Sequence, residues 1–164
     1  MNEPQQSVSL DELDENGLRF LPEAAVADAD PLEVMTPVDG PPGWTSERRR
    51  AFVEFHRRRA LHPTRPTERT FTITLDGTVV GAARLEPHGN DVEAGMWIAR
   101  SYRNRGIGRI VITELRRLAA VNGAHHITAS TTLGNIAARR LIDTTLRARV
   151  HIDNDCVTGI SDLD

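Results

Sequence analysis

The segment Ile98–Arg109, IARSYRNRGIGR, constrains this chain more than any other. It reads as the end of a β-strand, a basic turn and the opening of an amphipathic helix. Arg103, Arg105, Gly106, Gly108 and Arg109 fall within seven positions, where strand gives way to helix. The first backbone N–H groups of a helix have no intrahelical partner and point along its axis. With the positive end of the helix dipole they suit an anion, most readily a phosphate. Glycine lets the backbone approach a pyrophosphate closely, and arginine offers forked donors to the same oxygens.

Two common phosphate loops are excluded. A Walker A loop needs a lysine, and all 20 basic residues here are arginine. A dinucleotide fingerprint needs a third glycine at position 111, which is Val111. Arg-x-x-Gly-x-Gly (Arg103, Gly106, Gly108) after a strand is what remains.

The flanking sequence supplies the context. Residues 1–40 carry ten carboxylates and Arg19, whereas residues 41–70 carry eight arginines and three glutamates. Residues 1–16 are polar and aromatic-free and read as a disordered acidic tail, with a single domain over 17–164. Leu18–Leu21 is expected as a short strand, and Pro22 to Val26 as a short helix. Pro37 to Gly43 breaks regular structure. Thr45 or Ser46 caps a helix to about Leu61, with Ala51, Phe52, Phe55 and Ala60 toward the core. The arginines flanking that helix read as a solvated face or as a surface for an acidic partner. Thr70–Leu75 and Val79–Leu85 form a hairpin about Asp76-Gly77. The loop PHGND leads to a strand over Val92–Ala99.

Ile107, Ile110, Val111, Leu115 and Leu118 line one face of a helix from Gly106 to Val121. The strand His125–Ser130 follows it, and the long crossover predicts that this strand runs parallel to Val92–Ala99. A helix over Asn135–Leu146 and two short strands, Arg147–Ile152 and Cys156–Ile160, complete the chain. The fold class is α/β (α+β): a mixed, mostly antiparallel sheet of about seven strands with flanking helices.

Over residues 18–160 this order resembles the GNAT superfamily of N-acetyltransferases, most clearly over 91–146. The turn is similar to the family's acyl-CoA pyrophosphate loop. Asn135-Ile-Ala-Ala-Arg-Arg-Leu141 is similar to its Asn-x-x-Ala-x-x-Leu-Tyr stretch. The resemblance implies that the strands over Val92–Ala99 and His125–Ser130 splay apart around acetyl-CoA. Backbone groups of Trp97, Ile98 and Ala99 would pair with the pantetheine arm. N–H groups from Arg103 through Arg105, Gly106, Ile107 and Gly108 to Arg109 would hold the pyrophosphate, and Asn135 would touch the cofactor.

By the same resemblance Glu93 is the expected general base, taking the proton that an attacking amine must lose. A structural carboxylate is the alternative for Glu93. Asp91, two residues earlier on the same face, is the substitute. Isoleucine at 142 departs from the family's tyrosine, the usual acid for the leaving thiolate, and Leu146-Arg147 replaces a frequent Gly-Phe. Tyr102, Cys156, water or no acid at all remain for that role. Cys156 otherwise reads as a small core residue. No metal site is expected, since His125 and His126 point to opposite faces of one strand.

The leading reading is an acetyl-CoA-dependent acyltransferase acting on a primary amine, small molecule or peptide. A non-catalytic acyl-CoA-binding regulator is the alternative. Nucleic-acid binding is disfavoured by the net charge of −3 and the shortage of stacking aromatics beside the arginines. A cytoplasmic protein without membrane contact is expected from the single cysteine and the lack of a long apolar run. The C-terminal strands leave a sheet edge that a homodimer could cover.

Overall fold

The computed structural model describes residues 6–163. Two compact units make up the chain. One runs through Ala83 and resumes over Met96–Arg105; the other holds Arg84–Gly95 and the chain from Gly106 onward.

The first unit opens with strand β1 (Val8–Glu12), which corrects the expected disorder of 1–16 over these residues. Residues 1–5 of that tail lie outside the described residues. β1 pairs antiparallel with β2 (Arg69–Leu75), in a register from Val8↔Leu75 to Glu12↔Phe71. The acidic residues at and just after its end meet arginines far along the chain: Glu12 meets Arg69 at 3.0 Å and Glu15 meets Arg57 at 3.1 Å. The Arg57 guanidinium holds the Glu15 carboxyl below its ordinary range. The acidic N-terminal segment is thus one partner of the basic cluster.

Helix α1 (Gly17–Asp28) replaces the strand expected at Leu18–Leu21. Leu18, Leu21 and Ala25 are its buried residues, at helical spacing, and the helix continues through Pro22. A short helix α2 (Pro31–Val34) follows, capped by Asp30. Helix α3 (Ser46–Ala60) is capped by Thr45, whose hydroxyl accepts from Arg48 N. Phe52 is fully buried in it, and its ring packs edge-on against Trp44, His56 and Trp97. Arg48 is also buried. Its guanidinium donates to the carbonyls of Val38, Gly40, Pro41 and Gly43, so the Pro37–Gly43 loop is tied to the helix by one side chain. Those carbonyls satisfy the buried cation with hydrogen bonds in place of a carboxylate.

Asp76 and Gly77, both at positive φ, turn β2 into β3 (Thr78–His88). The expected PHGND loop shrinks to Gly89-Asn90, because β3 extends to His88 and β4 (Asp91–Ile98) begins at Asp91.

In the second unit, helix α4 (Ile107–Val121) buries Ile107, Val111, Ile112, Leu115 and Ala119. Ile110 lies outside that stripe and is exposed. Strand β5 (His126–Thr132) pairs parallel with β4, as the crossover requires. Helix α5 (Ile136–Arg140) runs into a π-turn over Leu141–Thr145, closed by Leu146 N donating to Leu141 O. Strand β6 (Arg149–Asp153) and β7 (Cys156–Asp162) form the last hairpin, and β7 also pairs with β5. The seven strands follow the order β1-β2-β3-β4-β5-β7-β6, a mixed, mostly antiparallel sheet. Among the described residues no helix is long and apolar enough to cross a membrane.

Candidate active site

β4 and β5 share only a short parallel ladder. Among the described residues the parallel ladder joins Asp91↔His126, Val92↔Ile127 and Glu93↔Thr128, and goes no further. β4 continues five residues beyond it, to Ile98, and β5 four, to Thr132. Glu93 is therefore the last β4 residue paired to β5.

Glu93 is only partly exposed, and its Oε1 accepts from Arg84 Nη2 at 2.6 Å. Arg84 also bonds Glu86 at 3.0 Å and lies against Gly95, where a side chain would meet its Nε at 3.0 Å. The residue expected to act as base is thus one end of a carboxylate–guanidinium–carboxylate chain. Asp91, the substitute, is engaged elsewhere. Its Oδ1 lies 2.8 Å from His126 Nδ1, and His126 Nε2 lies 3.3 Å from Asp162. Among the described residues no group of three or more His, Cys, Asp or Glu is placed to hold a metal.

Along the first unit's part of the turn, Ala99 N donates to Val80 O and a 3-10 turn spans Arg100–Tyr102. Ser101 N donates to Asp28, whose carboxyl it holds below the ordinary range. Arg103 is committed within this unit: its Nε donates to Ile98 O at 2.8 Å and its Nη2 to Glu33 at 2.7 Å. Arg105 stacks over the Tyr102 ring, 5.3 Å from its centroid.

Asn104 and Gly106 both take positive φ, 61° and 81°. Glycine at 106 lets the chain enter α4 through a left-handed residue with no side-chain penalty. Among the described residues no side chain caps the N-terminus of α4. The N–H groups of Ile107, Gly108 and Arg109 precede the first intrahelical bond, Ile110 N to Gly106 O. Arg105 and Arg109 are exposed and form no ion pair among the described residues.

Asn135 is the cap of α5, its Oδ1 accepting from Ala138 N at 3.1 Å. Ile142 is buried and packs on β7 at Gly159, where any side chain would overlap it. Cys156 is exposed, which corrects its reading as a core residue: it is the first residue of β7, beside the turn of the last hairpin.

His56 escaped the sequence reading. Burial holds its imidazole down at about 4, and both ring nitrogens are buried without a hydrogen-bond partner among the described residues. Its signal was its spacing from Phe52, i to i+4 on the buried face of α3.

The Acetyltransferase (GNAT) family model matches residues 34–144. No curated protein matches in a sequence search. Among solved structures, Mycobacterium smegmatis RimJ in complex with CoA-disulfide superposes with a TM-score of 0.71 at 20% identity, over 94% of this chain and 81% of that one. YncA of Salmonella typhimurium with acetyl-CoA gives 0.66 at 17% identity, over 98% and 95%. Mutant forms of the spermidine/spermine N-acetyltransferase SpeG of Vibrio cholerae give 0.68 at 16% identity, over 95% and 94%. These likenesses establish the fold.

Proposed function

The chain belongs to the GNAT acetyltransferase family, and on that premise we propose that it transfers the acetyl group of acetyl-CoA to a primary amine by direct attack. One observation carries the reading. The β4–β5 ladder stops at Glu93↔Thr128, and β4 then leads through a basic turn into a helix whose first N–H groups carry no side-chain cap. In this reading backbone groups of Trp97, Ile98 and Ala99 pair with the pantetheine arm. N–H groups from Arg103 to Arg109 receive the pyrophosphate, joined by the guanidinium groups of Arg105 and Arg109. The Asn135 amide, whose oxygen caps α5, keeps its two N–H donors for the cofactor.

The reaction needs a neutral amine. Its nitrogen attacks the thioester carbonyl, the C–S bond breaks, and one proton must leave the nitrogen. Glu93 is the proposed acceptor of that proton. A carboxylate has about four lone-pair sites, so the contact with Arg84 leaves acceptor capacity and fixes the carboxylate's orientation. The thiolate can depart without a tyrosine donor, since a thiol is far more acidic than an alcohol and its thiolate is a tolerable leaving group. Ile142 is compatible with turnover for that reason.

The buried Ile142 and the ion-paired Glu93 also support a second reading, a regulator that binds acyl-CoA without turnover. Thiol release from acetyl-CoA, measured against polyamines, small amines and peptide N-termini, separates the two. Release with any of these amines establishes the enzyme. Binding of acetyl-CoA with no release across the panel favours the regulator.

A further inference from the structure

We propose that two copies of this chain join edge to edge through β6, antiparallel about a two-fold axis at His151. The proposal rests on the second unit alone and is independent of the acetyltransferase reading. β6 is the last strand in the sheet order, so among the described residues no strand lies beside its outer edge. All five of its residues, Arg149-Val-His-Ile-Asp153, are exposed. Val150 and Ile152 are 45% and 48% exposed, among the few large apolar side chains so placed.

The order of these residues is self-complementary. In an antiparallel pair centred on His151, Arg149 of one copy faces Asp153 of the other, twice, and Val150 faces Ile152, twice. Side chains alternate along a strand, so the two ion pairs fall on one face with His151 and the four apolar side chains on the other. That apolar face is continuous with a buried one. Val150 and Ile152 stand beside Gly159 and Val157 of β7, on the side where Ile142 packs. A second copy would extend this strip and cover it.

The other sheet edge, β1, lacks the property. Centred on Leu10, it would set Ser9 against Asp11 and Val8 against Glu12, with no ion pair. Arg149 already bonds Asp162 of its own chain at 3.1 and 3.2 Å, but both side chains are exposed and the guanidinium has five donors to share. Charges on an edge strand can also serve to prevent association. Here they would repel other edges and admit this one.

Five residues a side is a short contact, so the expected dissociation constant is micromolar. Sedimentation equilibrium of the full chain should show a monomer–dimer equilibrium. Arg149→Asp alone sets a new carboxylate against Asp153 of the other copy. Asp153→Arg alone sets a new guanidinium against Arg149. Each should weaken self-association by roughly tenfold or more. Mixed in equal amounts, the two single variants should dimerise with each other, since every facing pair is again of opposite charge. The double variant should also dimerise. Circular dichroism checks that each variant is folded, and the double variant carries the test if a single one is not. A wild type monomeric at several hundred micromolar would overturn the proposal. So would a dimer indifferent to the single changes, a mixture that stays monomeric, or growth beyond the dimer.

Discussion

Gly81 leaves its Cβ position to the main chain of Trp97. A side chain at 81 would overlap the Trp97 carbonyl oxygen and stand 3.2 Å from the Ile98 Cα. Next to this contact Ala99 N donates to Val80 O at 2.8 Å. In an ordinary strand glycine is a weak residue and alanine an improvement. Here the sign should reverse. Gly81→Ala is expected to cost about 1–3 kcal/mol by urea unfolding, since backbone rather than a flexible side chain must move. Because the Trp97 backbone is proposed to meet the pantetheine arm, acetyl-CoA affinity by calorimetry should fall too. Full stability with unchanged affinity would show that the crowding relaxes freely.

The arginines of the turn should divide into two kinds. Arg103 bridges Ile98 O and Glu33, so Arg103→Ala should lower stability along with acetyl-CoA affinity. Arg105→Ala with Arg109→Ala removes two guanidinium groups that hold no carboxylate among the described residues. That double change should leave the unfolding midpoint nearly unmoved and weaken acetyl-CoA about tenfold or more, at roughly 1–3 kcal/mol for each charge-assisted hydrogen bond removed. Acetyl-CoA should raise the wild-type melting temperature and free adenosine far less. Equal shifts from the two ligands would remove the pyrophosphate from the turn.

The sequence showed the turn and its flanking elements because local chemistry sets them. Gly106 and Gly108, the period of Val111 and Leu115, and the Asp76-Gly77 hairpin each act over a few residues. What it hid depends on distant partners. β1 is a polar segment that becomes a strand only because β2 offers it an edge, and the ion pairs of Glu12 with Arg69 and of Glu15 with Arg57 join residues 57 and 42 positions apart. Pro22 read as a boundary, yet Leu18, Leu21 and Ala25 gain enough burial for α1 to continue through it. For Glu93, strand position was legible, but its attachment to Arg84, nine residues earlier across a hairpin, was not.

His56 ties stability to pH. Its folded value lies at about 4, below the ordinary 6.5, because burial penalises the charged ring and Arg59 adds to that penalty. Between those values the unfolded chain binds the proton and the folded chain does not. Stability from this residue is therefore complete above about pH 6.5 and is lost as the pH falls toward 4. The loss is about 3 kcal/mol at most. His56→Leu should flatten the fall in melting temperature between about pH 7 and pH 5, a range set by those two values. An unchanged profile would assign the acid sensitivity to other groups.

Arg147 is a non-glycine residue at φ 53° just after the π-turn. The left-handed region costs a side-chain-bearing residue roughly 1 kcal/mol. Arg147→Gly should relieve that strain, offset in part by a more flexible unfolded chain. A net gain of a few tenths of a kcal/mol up to about 1 is expected from thermal unfolding. A clear loss of stability would mean that the arginine side chain contributes more than its backbone costs.

Glu93→Gln separates base from brace. Glutamine keeps the shape and can still accept from Arg84 through its carbonyl oxygen, but it cannot take a proton from an ammonium nucleophile. If Glu93 is the base, turnover near neutral pH should fall by roughly 10²–10⁴, with much of it recovered at alkaline pH, where the amine deprotonates unaided. Acetyl-CoA affinity should hardly change, since the phosphates are proposed to meet the turn. If the carboxylate serves only to hold Arg84 between Glu86 and Glu93, the substitution should instead lower the unfolding midpoint and leave the pH–rate profile in place. Arg84→Met provides the complementary measurement. A base oriented by its guanidinium should lose kcat when Arg84 is removed and retain its dependence on pH. Loss of stability in both variants without any change in kcat would leave Glu93 a structural residue and move the proton acceptor elsewhere.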